Sequence, residues 1–424
     1  MSENTLRSYS AEVWDIMQLL FEKFNDHQAR CVIRLGTHID EGRLRQAVDL
    51  LGGVFPLLGC RFVEGAGRPR WESAGFTAGD MVFVNETEQA EDEIQRVLCS
   101  RTDEFSGPQL KIHIIRSKHT DTLCLIINHM LCDGAGFKKL LYLLSSIYSR
   151  LGDDPCYKPG EEAGSRSARQ VLRAFDRRGR AKIFFQRYGL SRHDDRIVFG
   201  LDGDRSKPFI VTHTVARERF QSVKSYAKQH GATVNDVILA AYLRALHQIL
   251  PGRTAAVQCV LDIRKFLPEK ESEGICNLTS NLVCDIGPDV GARFDDTLIK
   301  VKQAMDAEKE RSSSLHLILL LETVFRVMPY RVAKFAVSKG YRNPPLAMSN
   351  IGIIDDSRLS FDDIPITGAF ITGSIKYSPL FMLSLSTFND EVTLSAGFHG
   401  TQADREKISK FLGLLDEELP CAPA

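Results

Sequence analysis

The sequence has no formal net charge, because 54 Lys and Arg residues balance 54 Asp and Glu residues among 424. A nucleic-acid-binding domain normally has a basic surplus, so this balance gives that class no support. The ten cysteines include no Cys-x-x-Cys pair, which argues against zinc ribbons, iron–sulfur sites and dithiol redox motifs. The longest apolar run, residues 315–321, contains His316 and is too short to span a bilayer.

An apolar secretion signal is also missing from the first residues, Met1-Ser2-Glu3-Asn4, which are polar. We therefore expect free thiols and a reducing, cytoplasmic location. The remaining composition is ordinary, since 43% hydrophobic and 25% charged residues are typical of a globular protein. The length allows two domains and a large core.

Strand-like and helix-like segments alternate along the chain, which predicts an α/β protein. Between residues 151 and 170 the sequence becomes polar and rich in Gly, Pro and charge. We therefore divide the chain into an N-terminal lobe at 1–150, a connecting segment at 151–205 and a C-terminal lobe at 206–424. The connecting segment is either an interdomain linker or a mobile cover for the active site. Its basic clusters at residues 166–180 and 187–196 are expected to form a solvated face or a mobile loop.

One heptapeptide, Asn128-His129-Met130-Leu131-Cys132-Asp133-Gly134, stands out from this background. It follows a strongly apolar run, residues 123–127, and precedes a helix start made of small residues. A buried strand that ends on a histidine can hold its imidazole rigidly in a cleft, where it can remove a proton near neutral pH. A purely structural alternative is a strand end in which Asp133 caps the following helix.

The spacing His-x-x-x-Asp-Gly, ending at Gly134, resembles the active-site motif of the CoA-dependent acyltransferase superfamily. That superfamily includes chloramphenicol acetyltransferase, alcohol O-acetyltransferases and nonribosomal peptide condensation domains. The resemblance implies an α/β fold of two chloramphenicol acetyltransferase-like lobes, each a mixed sheet backed by helices, with the active-site tunnel between them. It also implies that His129 is the general base.

Two further residues follow from the same resemblance as supports of the site. Asn128 stands where the family often has a second histidine, at a position thought to be supporting rather than catalytic. Residues 260–264 are similar to the family's strand that supplies an arginine to the aspartate of the motif. The resemblance therefore implies an ion pair between Asp133 and Arg264 that fixes the loop carrying His129. The alternative is that Arg264 forms a surface salt bridge.

Two segments of the second half also match. Residues 233–240 resemble the family's Thr-x-Asn-Asp-Val-x-Leu-Ala segment, and Thr233 is expected to cap a helix there. Ser349-Asn350-Ile351-Gly352 resembles a Ser-Asn-x-Gly variant near the active-site channel. Ser349 and Asn350 are predicted either to donate hydrogen bonds near a developing oxyanion or to form a structural turn. Condensation domains proper and plant acyltransferases carry Phe-Gly-Trp-Gly here, so this chain departs from both.

The leading functional hypothesis is transfer of an acyl group from a CoA thioester to the hydroxyl or amine of a small hydrophobic acceptor. A second hypothesis is a standalone condensation-like enzyme that takes its acyl group from a phosphopantetheinyl carrier protein. A third is a binding module that has kept the fold without turnover. Neither a metal nor a permanently bound cofactor is expected, and acyl-CoA or a phosphopantetheine thioester would be a co-substrate. No nucleic-acid partner is expected.

Two details of mechanism are also expected. Cys132 lies three residues from His129 and could act as a nucleophile in a covalent mechanism. We favour a packing role for it, because the positions inside the motif are usually apolar. Gly134 and Gly136 would let a pantetheine arm approach the backbone closely.

Overall fold

The computed structural model describes residues 7–65, 67–160, 164–185, 198–250, 256–310, 313–340 and 344–421. The helices in these ranges are α1 (Val13–Leu20), α2 (Glu41–Val54), α3 (Ala78–Met81), α4 (Ala90–Leu98), α5 (Gly134–Asp153), α6 (Arg169–Arg173), α7 (Arg177–Phe185), α8 (Arg217–Gln229), α9 (Val234–Ile249), α10 (Phe294–Glu310), α11 (Ser313–Val327), α12 (Tyr330–Gly340) and α13 (Gln402–Glu418). The strands are β1 (Ser8–Ser10), β2 (Gln28–Leu35), β3 (Cys60–Val63), β4 (Arg70–Ser73), β5 (Val82–Glu86), β6 (Leu110–Arg116), β7 (Asp121–Asn128), β8 (Pro208–Val215), β9 (Val257–Asp262), β10 (Thr279–Cys284), β11 (Leu346–Ile354), β12 (Ile366–Thr372), β13 (Phe381–Phe388) and β14 (Glu391–His399).

The N-terminal lobe is built on a five-stranded sheet with the order β12-β2-β7-β6-β5. Its central strand β7 is buried along its whole length, as expected for a run of Leu, Ile and Cys covered on both faces. Helix α5 follows β7 directly and buries one face, including Phe137, Leu140 and Leu144, in the core. His129 therefore lies directly after a buried strand, at the edge of a rigid core.

The C-terminal lobe contains a six-stranded mixed sheet with the order β10-β9-β11-β13-β14-β8. Strand β11 runs parallel to both β9 and β13, whereas the other pairs are antiparallel. Thr233 caps the N-terminus of helix α9, where its side chain accepts a hydrogen bond from Asp236 N. The apolar residues of α9 pack in the core of this lobe. The prediction of an α/β fold with two lobes, each a mixed sheet backed by helices, is confirmed.

One strand crosses between the lobes. Strand β12 belongs to the C-terminal half of the sequence, yet it pairs antiparallel with β2 and completes the sheet of the N-terminal lobe. A hydrogen bond from Ile371 N to Ser386 Oγ (2.9 Å) ties it to β13 of the other lobe. The lobe boundaries at residues 150 and 205 stay a prediction. The sheet of the N-terminal lobe nevertheless contains one strand from the C-terminal part of the sequence.

The connecting segment at 151–205 lies partly outside the described residues, at 161–163 and 186–197. Its described part packs closely, with Val171 and Ile183 buried in the core of the N-terminal lobe. The Arg166 side chain is only 10% exposed and forms an ion pair with the buried Asp15 (2.7 Å). The expectation that the basic cluster is solvated is therefore wrong for Arg166, because a buried carboxylate compensates its charge.

None of the helices in the described part of the chain is long and apolar enough to cross a membrane.

Gly136 occupies a place in α5 where no side chain fits. A Cβ atom there would lie 2.7 Å from Cys276 O and 2.8 Å from Cys132 Cβ. Gly136 therefore lets α5 approach the segment around Cys276, and packing explains this glycine without a pantetheine arm. Gly134 is similarly close-packed, since its Cβ would lie 2.9 Å from Ile351 Cγ2.

We predict that Gly136→Ala lowers the free energy of unfolding by about 1–3 kcal/mol, because neither backbone nor Cβ can move aside cheaply. The matched control is Gly413→Ala in α13, where a Cβ would meet nothing within 4 Å. That change should raise the free energy of unfolding by about 0.5–1 kcal/mol through helix propensity. Denaturant unfolding measures both, and equal effects at the two sites would contradict the packing argument.

Candidate active site

His129 lies in the turn between β7 and α5, and contacts from both halves of the chain hold its backbone. Its N–H donates to His27 O (2.8 Å). Its carbonyl, like that of Met130, accepts a hydrogen bond from Asn277 Nδ2, both at 3.0 Å. Arg166 Nη2 donates to the carbonyls of Met130 and Leu131 (3.2 Å each). The turn that carries the imidazole is thus fixed on several sides.

The imidazole itself lines a cavity and is half-buried. Its Nδ1 is buried and has no hydrogen-bond partner among the described residues, which leaves Nε2 as the nitrogen that can meet a substrate. Burial lowers the pKa of His129 below its ordinary value of 6.5, and the Lys376 ammonium lowers it further. The carbonyl of His129 and the Asp133 carboxylate raise this pKa but do not offset the effect of burial. The ring is therefore neutral at physiological pH and able to accept a proton.

Asp133 and Arg264 are brought together across the sequence into a buried, bidentate ion pair. Arg264 Nη1 donates to Asp133 Oδ2 (2.9 Å), and Nη2 donates to Oδ1 (3.0 Å). Burial alone would lower the pKa of Arg264, but the Asp133 carboxylate raises it above its ordinary value. Arg264 follows β9 in a short 3-10 helix, Ile263–Phe266, so β9 of the C-terminal lobe delivers the cation.

The Asp133 carboxylate makes further contacts that give it a second task. Oδ1 accepts from Gly136 N (2.8 Å), which caps helix α5, and Oδ2 accepts from Leu278 N (2.6 Å). Each oxygen of this carboxylate thus accepts two hydrogen bonds from the protein, so Asp133 is placed to position the loop. The capping alternative and the ion-pair expectation are both realised by one side chain.

Asn128 lies at the end of β7 and is fully buried. Its Nδ2 donates to Gln109 Oε1 (2.9 Å), and its Oδ1 accepts from Met130 N (3.0 Å). The side chain therefore fixes the backbone immediately after His129, which fits a supporting position.

Gly134 lines the cavity at the start of α5.

Ser349 and Asn350 lie next to each other on β11 but face different surroundings. Ser349 lines the cavity, whereas Asn350 is exposed and is not among the lining residues. The Asn350 side chain accepts from Gly352 N (2.9 Å) and donates to Asn235 Oδ1 (3.3 Å), beside a bulge in β11. Asn350 therefore shapes the strand, and only Ser349 is placed to meet a bound group.

The cavity lies between the lobes and has a volume of about 140 Å³. Trp14, Phe21 and Ala29 line it from the N-terminal half, and Gln258, Val260 and Ala347 line it from strands of the C-terminal lobe. Such a mixed apolar and polar lining is typical of a small-molecule site.

Cys132 is fully buried and is not among the residues that line the cavity. Burial raises the pKa of its thiol well above the ordinary value, and the neighbouring Asp133 carboxylate acts in the same direction. A protonated, enclosed thiol is a poor nucleophile. The geometry favours the packing role for this cysteine.

Three residues of the site were not predicted from the sequence, namely Arg166, Asn277 and Lys376. Arg166 lies in a polar segment that gives no sign of burial, and Asn277 belongs to a polar turn whose partner is 148 residues away. Lys376 lines the cavity although its side chain is only 9% exposed. No sequence motif identifies any of these three residues, because each acts through a contact that exists only in the folded chain.

We predict that Arg264→Met lowers the free energy of unfolding by about 3–5 kcal/mol, because it leaves the Asp133 carboxylate buried and unpaired. The matched control is Arg34→Met, which removes an arginine from a bidentate pair with Glu91 whose side chains are 39% and 69% exposed. That change should cost no more than about 1 kcal/mol. Denaturant unfolding of both variants decides, and similar losses would refute a special role for the buried pair.

No protein-family profile matches the sequence, and no curated protein matches it. Solved structures do match. The first condensation domain of the calcium-dependent antibiotic synthetase, in complex with a substrate analogue, is similar with a TM-score of 0.71 at 15% identity, over 98% of each chain. The epimerization domain from the third module of tyrocidine synthetase B has a TM-score of 0.70 at 14% identity, over 98% of this chain and 96% of that one. Polyketide synthase associated protein 5 from Mycobacterium tuberculosis has a TM-score of 0.66 at 16% identity, over 98% of this chain and 100% of that one.

At such identities the likeness establishes architecture, and the reaction has to be argued from the site. The similarity extends over nearly the whole chain and includes both lobes. The chain therefore has the two-lobed, chloramphenicol acetyltransferase-like fold found in condensation domains.

Proposed function

We propose that this protein is an acyltransferase of the condensation-domain type, which moves an acyl group from a pantetheine thioester to an amine or hydroxyl. The observation that carries the proposal is a neutral imidazole, His129, that lines a cavity between two lobes on a loop fixed from both of them. A base held in this way can act on an acceptor without first forming an acyl-enzyme.

The reaction needs one proton acceptor and no covalent intermediate. As the acceptor nitrogen or oxygen attacks the thioester carbonyl carbon, its proton moves to Nε2 of His129. The tetrahedral intermediate then collapses, the carbon–sulfur bond breaks, and the departing sulfur takes the proton from the imidazole. Holding both reactants in one cavity supplies much of the rate.

The oxyanion of that intermediate needs a hydrogen-bond donor within the cavity. Ser349, on β11, is the member of the Ser349-Asn350 pair that lines it. We therefore assign the donor role to the Ser349 hydroxyl and a shaping role to Asn350.

For the donor, a carrier-protein thioester is favoured over CoA. CoA carries phosphates on its nucleotide, which proteins usually bind with Arg or Lys. Among the described residues that line the cavity, Lys376 is the one Lys or Arg. Structural neighbours of the chain include condensation domains of peptide and polyketide synthases, which take acyl groups from carrier-bound pantetheine. We therefore prefer the condensation-like hypothesis to the CoA-dependent one.

We predict that His129→Ala lowers kcat/KM by about 10²–10⁴-fold, the usual contribution of a general base. Thiol release from acyl-pantetheine, with a panel of amines and alcohols as acceptors, measures the rate. Cys132→Ser is the control and should retain most of the activity, because this thiol does not face the cavity.

Full activity in His129→Ala would refute the proposal, and absence of turnover with any acceptor would favour the binding-module alternative. Acyl-CoA is the comparison donor. If acyl-CoA is used no better than acyl-pantetheine, its nucleotide contributes nothing, as a carrier-protein donor requires. A KM many-fold lower for acyl-CoA would restore the CoA-dependent hypothesis.

The pH dependence of kcat/KM should report the lowered pKa of His129. The imidazole must be neutral to act as a base, so activity should stay level through neutral pH and fall only as pH drops below 6.5. The residual rate of His129→Ala should lack this acid limb. An acid limb centred above 6.5 in the wild-type protein would contradict the electrostatics of the site.

A further inference from the structure

Lys376 is a buried lysine whose charge has no partner among the residues that the structure describes. Its side chain is 9% exposed, and among the described residues no carboxylate forms an ion pair with its ammonium and no acceptor forms a hydrogen bond with it. Burying an ammonium without a partner costs free energy. Proteins therefore normally pair such a group with an acid or place it where a ligand can pair with it.

Asp26, the carboxylate that raises the pKa of Lys376, is already paired with other groups. Its carboxylate forms a buried ion pair with Arg30 and accepts a hydrogen bond from Ile375 N (2.9 Å). Asp26 therefore acts on Lys376 only through space, and burial still lowers the pKa of Lys376 to about 8. No group in the described part of the chain therefore fully offsets the cost of burying this charge.

The backbone holds Lys376 firmly beside the His129 turn. Its N–H donates to Gly397 O (3.0 Å), and its carbonyl accepts from His399 N (2.9 Å). It also forms a β-bridge with Asn25, two residues before His27, whose carbonyl binds His129 N. Both side chains line the same cavity, so the ammonium and the imidazole face a common bound molecule.

The rest of the cavity lining suits an anion. Asp133 is the one acidic side chain among the described lining residues, and Arg264 neutralises it. The other polar lining groups include Gln18, Asn25 and Asn281, which are uncharged. The cavity therefore holds one uncompensated positive charge.

We propose that Lys376 binds a carboxylate group of the substrate, so that the cavity selects an acyl donor or acceptor that carries an anionic group. This inference rests on the proposed function for the identity of the bound molecule as a substrate. The binding itself needs no turnover and can be measured apart from it.

The experiment compares hexanoate with hexanamide, two probes of the same shape that differ in charge. Ligand-observed NMR titrations of the full chain give the two dissociation constants. We expect hexanoate to bind about tenfold or more tightly than hexanamide at pH 7, because hydrogen bonds to a charged group are stronger than neutral ones. Equal binding of the two probes would overturn the proposal.

The preference should also depend on pH. Hexanoate affinity should fall as pH rises through about 8, where Lys376 loses its proton, while hexanamide affinity should stay constant. The other charged groups around Lys376 are Asp26, Arg30, His129 and His399, and burial lowers the pKa of both histidines below 6.5. Neither histidine changes its charge in this window, so a preference unchanged between pH 7 and 9.5 would also count against Lys376.

Lys376→Met should abolish the preference for hexanoate and leave hexanamide binding intact, which shows that the cavity is still formed. Lys410→Met, at an exposed position in α13, is the matched control and should bind both probes as the wild type does. A preference that persists in Lys376→Met would refute the assignment. If Lys376→Met no longer binds hexanamide, the pH dependence of the wild type decides.

The two proposals fail separately. If acyl transfer depends on His129 but the cavity shows no preference for a carboxylate, only the role of Lys376 is refuted. If carboxylate binding depends on Lys376 but the protein shows no turnover, only the acyl-transfer reaction is refuted.

Discussion

The buried ion pair between Asp133 and Arg264 is the interaction on which the rest of the site depends. It joins the first turn of α5, in the N-terminal lobe, to the end of β9 in the C-terminal lobe. Because the same carboxylate also caps α5 and accepts from Leu278 N, one side chain sets the start of the helix, the course of the neighbouring segment and the approach of the two lobes. Such a pair costs desolvation energy to bury, so its value lies in fixing a single arrangement of the loop between them.

That loop receives support from sequence-distant parts of the chain. His27, Asn277 and Arg166 each bind its backbone, and none of them needs to touch a substrate. A base is effective only if it is held within a fraction of an ångström of its working position. The many contacts around this short turn therefore hold the His129 imidazole in the fixed position that its proposed role as a base requires.

The sequence predicted the parts of this structure that depend on local pattern. The apolar run before His129 predicted β7, and the motif predicted the partnership of Asp133 with Arg264, although the latter came from resemblance rather than from spacing. Patterns could not predict the crossing of β12, the burial of Arg166 or the unpaired charge of Lys376. Each of these depends on which distant segment lies opposite, and a polar or basic residue looks the same in sequence whether it is solvated or enclosed. The glycines show the same limit, since Gly136 was expected to make room for a ligand and instead makes room for the Cys276 carbonyl.

The course of β12 has a consequence for how the molecule can divide or move. Without this strand, β2 would present an unsatisfied edge of backbone donors and acceptors, the kind of surface that recruits other chains. The first 150 residues therefore lack one of the five strands of the sheet on which their lobe is built. A movement that separates the two lobes would therefore have to bend the chain on either side of β12 or break the pairing of this strand with β2.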